Sequence, residues 1–218
     1  ASFLEWRLLQ PGTAMRFAAQ GDGIKQYDPA EGFDDLAPGG TGKASFGLES
    51  KGALGFVNPW MSQESPARPP MLPNYGSVST LNFDRKTLES IRPAIPYLEN
   101  SAEFKKELAE LQDIQKNQTR DQAAIANFWA DGPGSYTPPG HWHRYACQAG
   151  VEAKYSEVRM ARMLAYVGTA LMDAGIACWE TKYFYYSPRP QQFGLKTSVG
   201  LPNFPGYTSG HSTFSFAA

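Results

Sequence analysis

Lys182-Tyr183-Phe184-Tyr185-Tyr186-Ser187-Pro188-Arg189-Pro190 is the stretch on which the fold turns. It closes a run, from about Val151 to Tyr186, that is rich in Ala, Met and Leu and holds no proline. Such a run predicts helix, either two helices or one long helix broken near Gly168 or Gly175. Ser187-Pro188-Arg189-Pro190 ends it, because proline lacks the N–H a helix needs and its ring clashes with the preceding turn. Lys182 then projects from the last turns of a helix, and Arg189 from the loop beyond.

Working upstream, the chain changes character at Pro96. Asn100-Ser101-Ala102-Glu103 predicts a helix start, with Asn100 as N-cap and a Glu in the first turn. Phe104, Leu108, Leu111 and Ile114 follow at three- and four-residue spacing, an amphipathic pattern. Thr119-Arg120-Asp121-Gln122 offers a capping box, and the helix behind it carries Ile125, Phe128 and Trp129 and is expected to stop at Gly132-Pro133. Before Pro96, residues such as Ser65-Pro66-Ala67-Arg68-Pro69-Pro70 break helices and strands alike. Phe56, Trp60, Tyr75 and Phe83 argue against plain disorder there, which is aromatic-poor. Downstream, a Gly-, Pro- and Phe-bearing loop runs to Ser209, and Gly210-His211-Ser212 looks like another helix start. No strand pair with clear alternation and no repeat is visible. The expectation is an all-α chain: a loop-rich lobe over residues 1–97 packed on a helical bundle over 98–218.

Bulk properties exclude some functions. The 218 residues carry 20 Lys plus Arg against 21 Asp plus Glu, so no field of one sign attracts nucleic acid. No run of 18 apolar residues exists to span a membrane. Ala1 to Gln10 lack the charged and apolar regions of a signal peptide. Cys147 and Cys178 could form one disulfide but write no disulfide framework, and two buried thiols in helices are the expectation. Composition says nothing about a homo-oligomer.

Several motifs fail. Gly39-Gly40-Thr41-Gly42-Lys43 has the wrong spacing for a phosphate loop, and Ala44 stands where Ser or Thr is needed. His141-x-His143 falls short of the three or four ligands a zinc site wants. Asn117-Gln118-Thr119 is a bare sequon. Ser209 lacks the glycine context of a hydrolase elbow, since Tyr207 stands where Gly is required.

The remaining constellation carries chemistry. Lys182 and Arg189, seven apart across a helix end, can converge on one small anion. Arg supplies a planar fork of donors and Lys a compact charge. About twenty residues on, Phe204-Pro205-Gly206-Tyr207-Thr208-Ser209-Gly210-His211 adds a hydroxyl, a backbone N–H and an imidazole. A helix starting there adds free N–H groups and a positive dipole end. Singly, each piece has a plain structural explanation; their order and spacing together point to an oxyanion site.

Lys182-x6-Arg189-Pro190 followed by Ser209-Gly210-His211 resembles the first two-thirds of the signature shared by vanadium-dependent haloperoxidases and type-2 phosphatidic acid phosphatases. Thr208 stands where that signature usually has Pro, a change in loop stiffness more than in chemistry. Trp179 and Phe204 occupy places that look like the halide-pocket aromatics of chloroperoxidases. Ile125-Ala126-Asn127-Phe128-Trp129-Ala130-Asp131-Gly132 and Thr137-Pro138-Pro139-Gly140-His141-Trp142 are similar to a segment of bacterial haloperoxidase-like proteins. The similarity covers roughly residues 55–218; the first 50 residues match nothing.

The resemblance implies a helical bundle of the haloperoxidase and acid phosphatase type. It implies vanadate, or phosphate at the same site, held by Lys182, Arg189, Ser209 and Gly210, with His211 as acid–base and Lys182 as polarising group. Trp179 and Phe204 would line the halide or substrate pocket, and Asp131 would support the site through an arginine. The family's third block, Ser-Arg-x5-His, supplies the apical vanadium ligand; it does not occur in the seven residues after His211 and is expected beyond Ala218. The implied activity is oxidation of halide by hydrogen peroxide. The alternatives are hydrolysis of phosphate monoesters through a phosphohistidine, or a non-catalytic helical binding or surface protein. A periplasmic or secreted location follows from the resemblance alone.

Overall fold

The computed structural model describes residues 56–63 and 70–218. The first 55 positions, the Gly39–Lys43 stretch among them, lie outside the described residues. Six α-helices are present among the described residues, with no strand. In chain order they are α1 (Arg85–Ser90), α2 (Ala102–Asn117), α3 (Arg120–Phe128), α4 (Thr137–Glu152), α5 (Glu157–Tyr185) and α6 (Gly210–Ala217). Two 3₁₀ turns, Tyr75–Ser77 and Pro190–Phe193, complete the regular elements. The architecture is all-α, as expected.

The centre of the molecule is α5, unbroken over 29 residues. Helices α4 and α6 and the Tyr75–Ser77 turn pack on it, and α4 also touches α6. The predicted break at Gly168 or Gly175 does not occur. Gly175 serves close approach instead, whereas Gly168 has room for an ordinary contact. A Cβ on Gly175 would sit 2.5 Å from the Tyr75 hydroxyl, and one on Gly168 would meet the His143 ring at 3.4 Å. Val151 and Glu152 belong to α4, with the break between helices at residues 153–156.

The two halves of α5 differ. Its first turns are largely exposed, whereas from Leu171 to Tyr185 most side chains are buried. A helix buried on all sides needs partners for every polar group it carries inward. The Asp173 carboxylate accepts from the backbone N–H groups of Leu81 (2.6 Å) and Asn82 (2.9 Å) and from the Asn82 side chain (2.7 Å). Glu180 takes a forked pair of hydrogen bonds from Arg92, whose guanidinium lies 3.5 Å from the Phe184 ring centroid. That bonding raises the Arg92 pKa. The Tyr183 hydroxyl donates to Met71 O (2.6 Å) and the Tyr185 hydroxyl to Pro93 O (2.7 Å). In this way α5 ties down the irregular strap over residues 70–97. Gly76 is required where the strap crosses, since a Cβ there would come within 2.4 Å of the Glu180 backbone.

Local details sharpen the sequence reading. The N-cap of α2 is Ser101, one residue after the expected Asn100, and its hydroxyl accepts from Phe104 N–H at 3.1 Å. The apolar spacing of α2 does form a helix, yet the helix buries no residue and leaves Leu111 and Ile114 exposed. The Thr119–Gln122 capping box is present in both halves. Helix α3 ends at Phe128, with Trp129 as C-cap, before the predicted Gly132-Pro133 stop. Both cysteines are free and helical, but only Cys178 is buried; Cys147 lies on an exposed part of α4.

Candidate active site

Lys182 is 1% exposed, near the end of α5. The helix closes with Tyr186 in the left-handed conformation (φ 52°), its N–H returning to Lys182 O at 3.0 Å. The chain then turns through Ser187-Pro188 to Arg189. Gly206 fits against this turn because a Cβ there would lie 2.7 Å from Pro188 O. The loop over residues 204–208 is thereby laid across the end of α5.

Both cations point into that loop. The Lys182 ammonium donates to the carbonyl oxygens of Pro205 (3.0 Å), Gly206 (3.0 Å) and Thr208. An ammonium has three protons, so all three have backbone acceptors. Arg189 Nε donates to Phe204 O at 2.6 Å. Both charges lie close to the Phe204 ring, with Lys182 Nζ 4.9 Å and Arg189 Cζ 4.8 Å from its centroid. Trp179 completes the apolar wall, 5.0 Å from Phe204 between centroids and 5.8 Å from Lys182 Nζ. The Trp179 indole is itself held by Tyr75 and Phe214.

The second block arrives directly after the loop. Thr208, whose carbonyl binds Lys182, precedes Ser209, the N-cap of α6. The Ser209 hydroxyl accepts from Ser212 N–H at 3.2 Å. A Cβ on Gly210 would lie 3.7 Å from the Trp179 ring, so the first turn of α6 faces the same aromatic wall. The structure therefore brings Lys182, Arg189, Trp179, Phe204, Ser209 and Gly210 to one place. His211 follows in sequence, but its imidazole Nε2 lies 2.6 Å from Trp129 O, at the end of α3.

The electrostatics of this cluster are unusual. Among the described residues neither Lys182 nor Arg189 has a carboxylate partner. Burial pushes the Lys182 pKa down to about 8, with the nearby Arg189 charge adding to the effect. Burial lowers Arg189 to about 10. Two buried like charges cost free energy that a bound anion would offset. Arg189 also keeps its two Nη groups without a protein acceptor among the described residues. The residues present thus suit an oxyanion such as vanadate or phosphate: a guanidinium fork, an ammonium, a hydroxyl and the open N–H groups of a helix start.

Asp131 and His141 form a pair that the sequence did not reveal. His141 is 4% exposed, and its Nδ1 lies 2.9 and 3.1 Å from the Asp131 carboxylate oxygens. The partner found for Asp131 is this histidine and not an arginine. The only sequence signal was an acid and a histidine ten residues apart, flanking a Gly- and Pro-bearing loop. His143, on the other hand, packs beside Gly168, and burial lowers its pKa.

No family model matches the chain, and no curated protein matches it in sequence. Among solved structures it is similar to the first bacterial vanadium-dependent iodoperoxidase, with 26% identity and a TM-score of 0.62. The match covers 72% of this chain and 42% of that one, so this chain spans less than half of that protein's length. The helical framework that carries Lys182, Arg189 and Ser209 is therefore a haloperoxidase-like fold.

Proposed function

We propose that this chain builds the oxyanion cradle of a vanadate-dependent haloperoxidase-like enzyme, which uses hydrogen peroxide to oxidise halide. The observation that carries the reading is the buried Lys182–Arg189 pair, without a carboxylate, set against an aromatic wall and the start of α6. Vanadate, when bound, supplies the centre at which peroxide is activated toward halide. Arg189 would bind its oxygens through the guanidinium fork, and the Ser209 hydroxyl and Gly210 N–H would add short-range donors. Lys182 would contribute positive charge next to the reacting oxygen. Trp179 and Phe204 would form a weakly hydrated pocket for a large, soft halide.

The net reaction, H₂O₂ + X⁻ + H⁺ → HOX + H₂O, consumes one proton. His211, next in sequence after Gly210, is the group proposed to deliver that proton. Imidazole is the side-chain type most used for such proton transfer.

The test is halide-dependent bromination of a dye by the whole protein with vanadate and peroxide. Phosphate should compete, because it shares the shape and charge of vanadate. His211→Ala should lower turnover on the order of 10²–10⁴-fold. Hydrolysis of p-nitrophenyl phosphate without any halide oxidation would replace this reading with the phosphatase one.

A further inference from the structure

We infer that Trp129, Asp131 and His141 are positioning residues for His211: they fix its ring with the proton on Nε2 and leave Nδ1 as the nitrogen that exchanges protons. The inference rests on the reading of His211 as the acid–base group. It goes beyond that reading by naming the nitrogen and the device that orients it.

The argument starts from one hydrogen bond. His211 Nε2 lies 2.6 Å from Trp129 O. A carbonyl oxygen only accepts, so Nε2 is the donor and carries the hydrogen. In the neutral ring Nδ1 is then the basic nitrogen.

A carbonyl can orient an imidazole only if it is itself held, and Trp129 is held from three sides. Its carbonyl sits at the C-cap of α3, where the backbone has left the helix (φ −94°, ψ 5°) and the oxygen is free of the helical ladder. Its indole stacks on His141 at 4.8 Å and on Trp142 at 5.6 Å, both on α4. His141 in turn stacks on Tyr145 at 4.9 Å, and Trp129 and Tyr145 are themselves 6.1 Å apart, so the three rings form one cluster.

Asp131 locks this stack. It lies two residues after Trp129, in the left-handed conformation (φ 43°), and its carboxylate grips His141 Nδ1. Both side chains are 5% exposed, so the pair is shielded from water and geometrically strict. Helix α4 also reaches the helix that carries His211, because Trp142 Nε1 donates to Ser215 Oγ at 3.2 Å. One face of α4 thus fixes the end of α3 and touches α6, and the His211 bond spans the gap between them.

The experiment uses ring-nitrogen NMR of the protein labelled with ¹⁵N-histidine, at about pH 8.5, where ordinary imidazoles are neutral. With only three histidines the spectrum is assignable by single substitutions. Wild-type His211 is expected in the Nε2–H form. In Asp131→Ala it should move to a tautomer mixture, with kcat about 10-fold lower, KM within about twofold, and recovery in Asp131→Glu. A wild-type His211 protonated on Nδ1 overturns the inference with no variant needed. So does a folded Asp131→Ala protein whose His211 spectrum is unmoved. A wild-type protein that shows the Nε2–H form and its Asp131 dependence, yet oxidises no halide, would keep the positioning device and remove the proposed activity.

Discussion

Removing the Lys182 ammonium should change how stability depends on pH, in a direction that the buried position dictates. In the folded chain Lys182 loses its proton near pH 8, while an unfolded lysine does so near 10.5. Between those values the unfolded chain holds more protons. Raising the pH therefore favours the folded state across that window, and below about pH 8 the contribution is flat. From about pH 7 to about pH 10 the gain is about 2.5 kcal/mol. Lys182→Met deletes the titration. It also strips three carbonyls of a charged donor, but that loss is constant with pH. Arg189, Tyr75, Tyr183 and Tyr186 are shifted too, yet they remain in both proteins, so the difference between the two curves isolates Lys182. Urea unfolding of both proteins at several pH values reads that difference directly. Saturating phosphate should flatten the wild-type curve by keeping the ammonium charged, and should leave the variant unaffected. Parallel curves for wild type and variant would refute the claim that burial makes Lys182 lose its proton more readily in the folded chain.

Two further outcomes follow from packing. Gly76→Ala should destabilise the chain on the order of 3 kcal/mol, read as a lower urea midpoint, because the new methyl would meet backbone and not a movable side chain. Glu180→Gln should cost about 3 kcal/mol, read as a fall in Tm, since it leaves the Arg92 guanidinium facing a buried neutral group.

The parts of this fold that were legible in the sequence are those set by local chemistry. Prolines 188 and 190 mark the end of α5, and Thr119 with Gln122 marks the start of α3, because caps and breakers act within a few residues. Tertiary contacts decided the rest. Gly168 and Gly175 read as breaks, yet they are seats for His143, Tyr75 and Phe214, which no local pattern encodes. The amphipathic spacing in α2 formed a helix, yet among the described residues only Phe104 and Leu108 of its apolar stripe are half-buried while Leu111 and Ile114 stay exposed, since a period sets a helix face but not its neighbour. At the candidate site, Lys182, Arg189 and Ser209 stood out by order and spacing. The Asp131–His141 pair and the Trp129 carbonyl did not, because backbone acceptors and pairings across a loop leave no mark on residue types.

The saturation of Lys182 has a consequence for any ligand. Every ammonium hydrogen already has an oxygen on the chain, so a bound oxyanion can gain one only by exchange, releasing Pro205, Gly206 or Thr208. Affinity measured at this site is then a difference between two sets of partners, and mutations in the loop that touch no ligand should still tune how tightly and how fast anions enter.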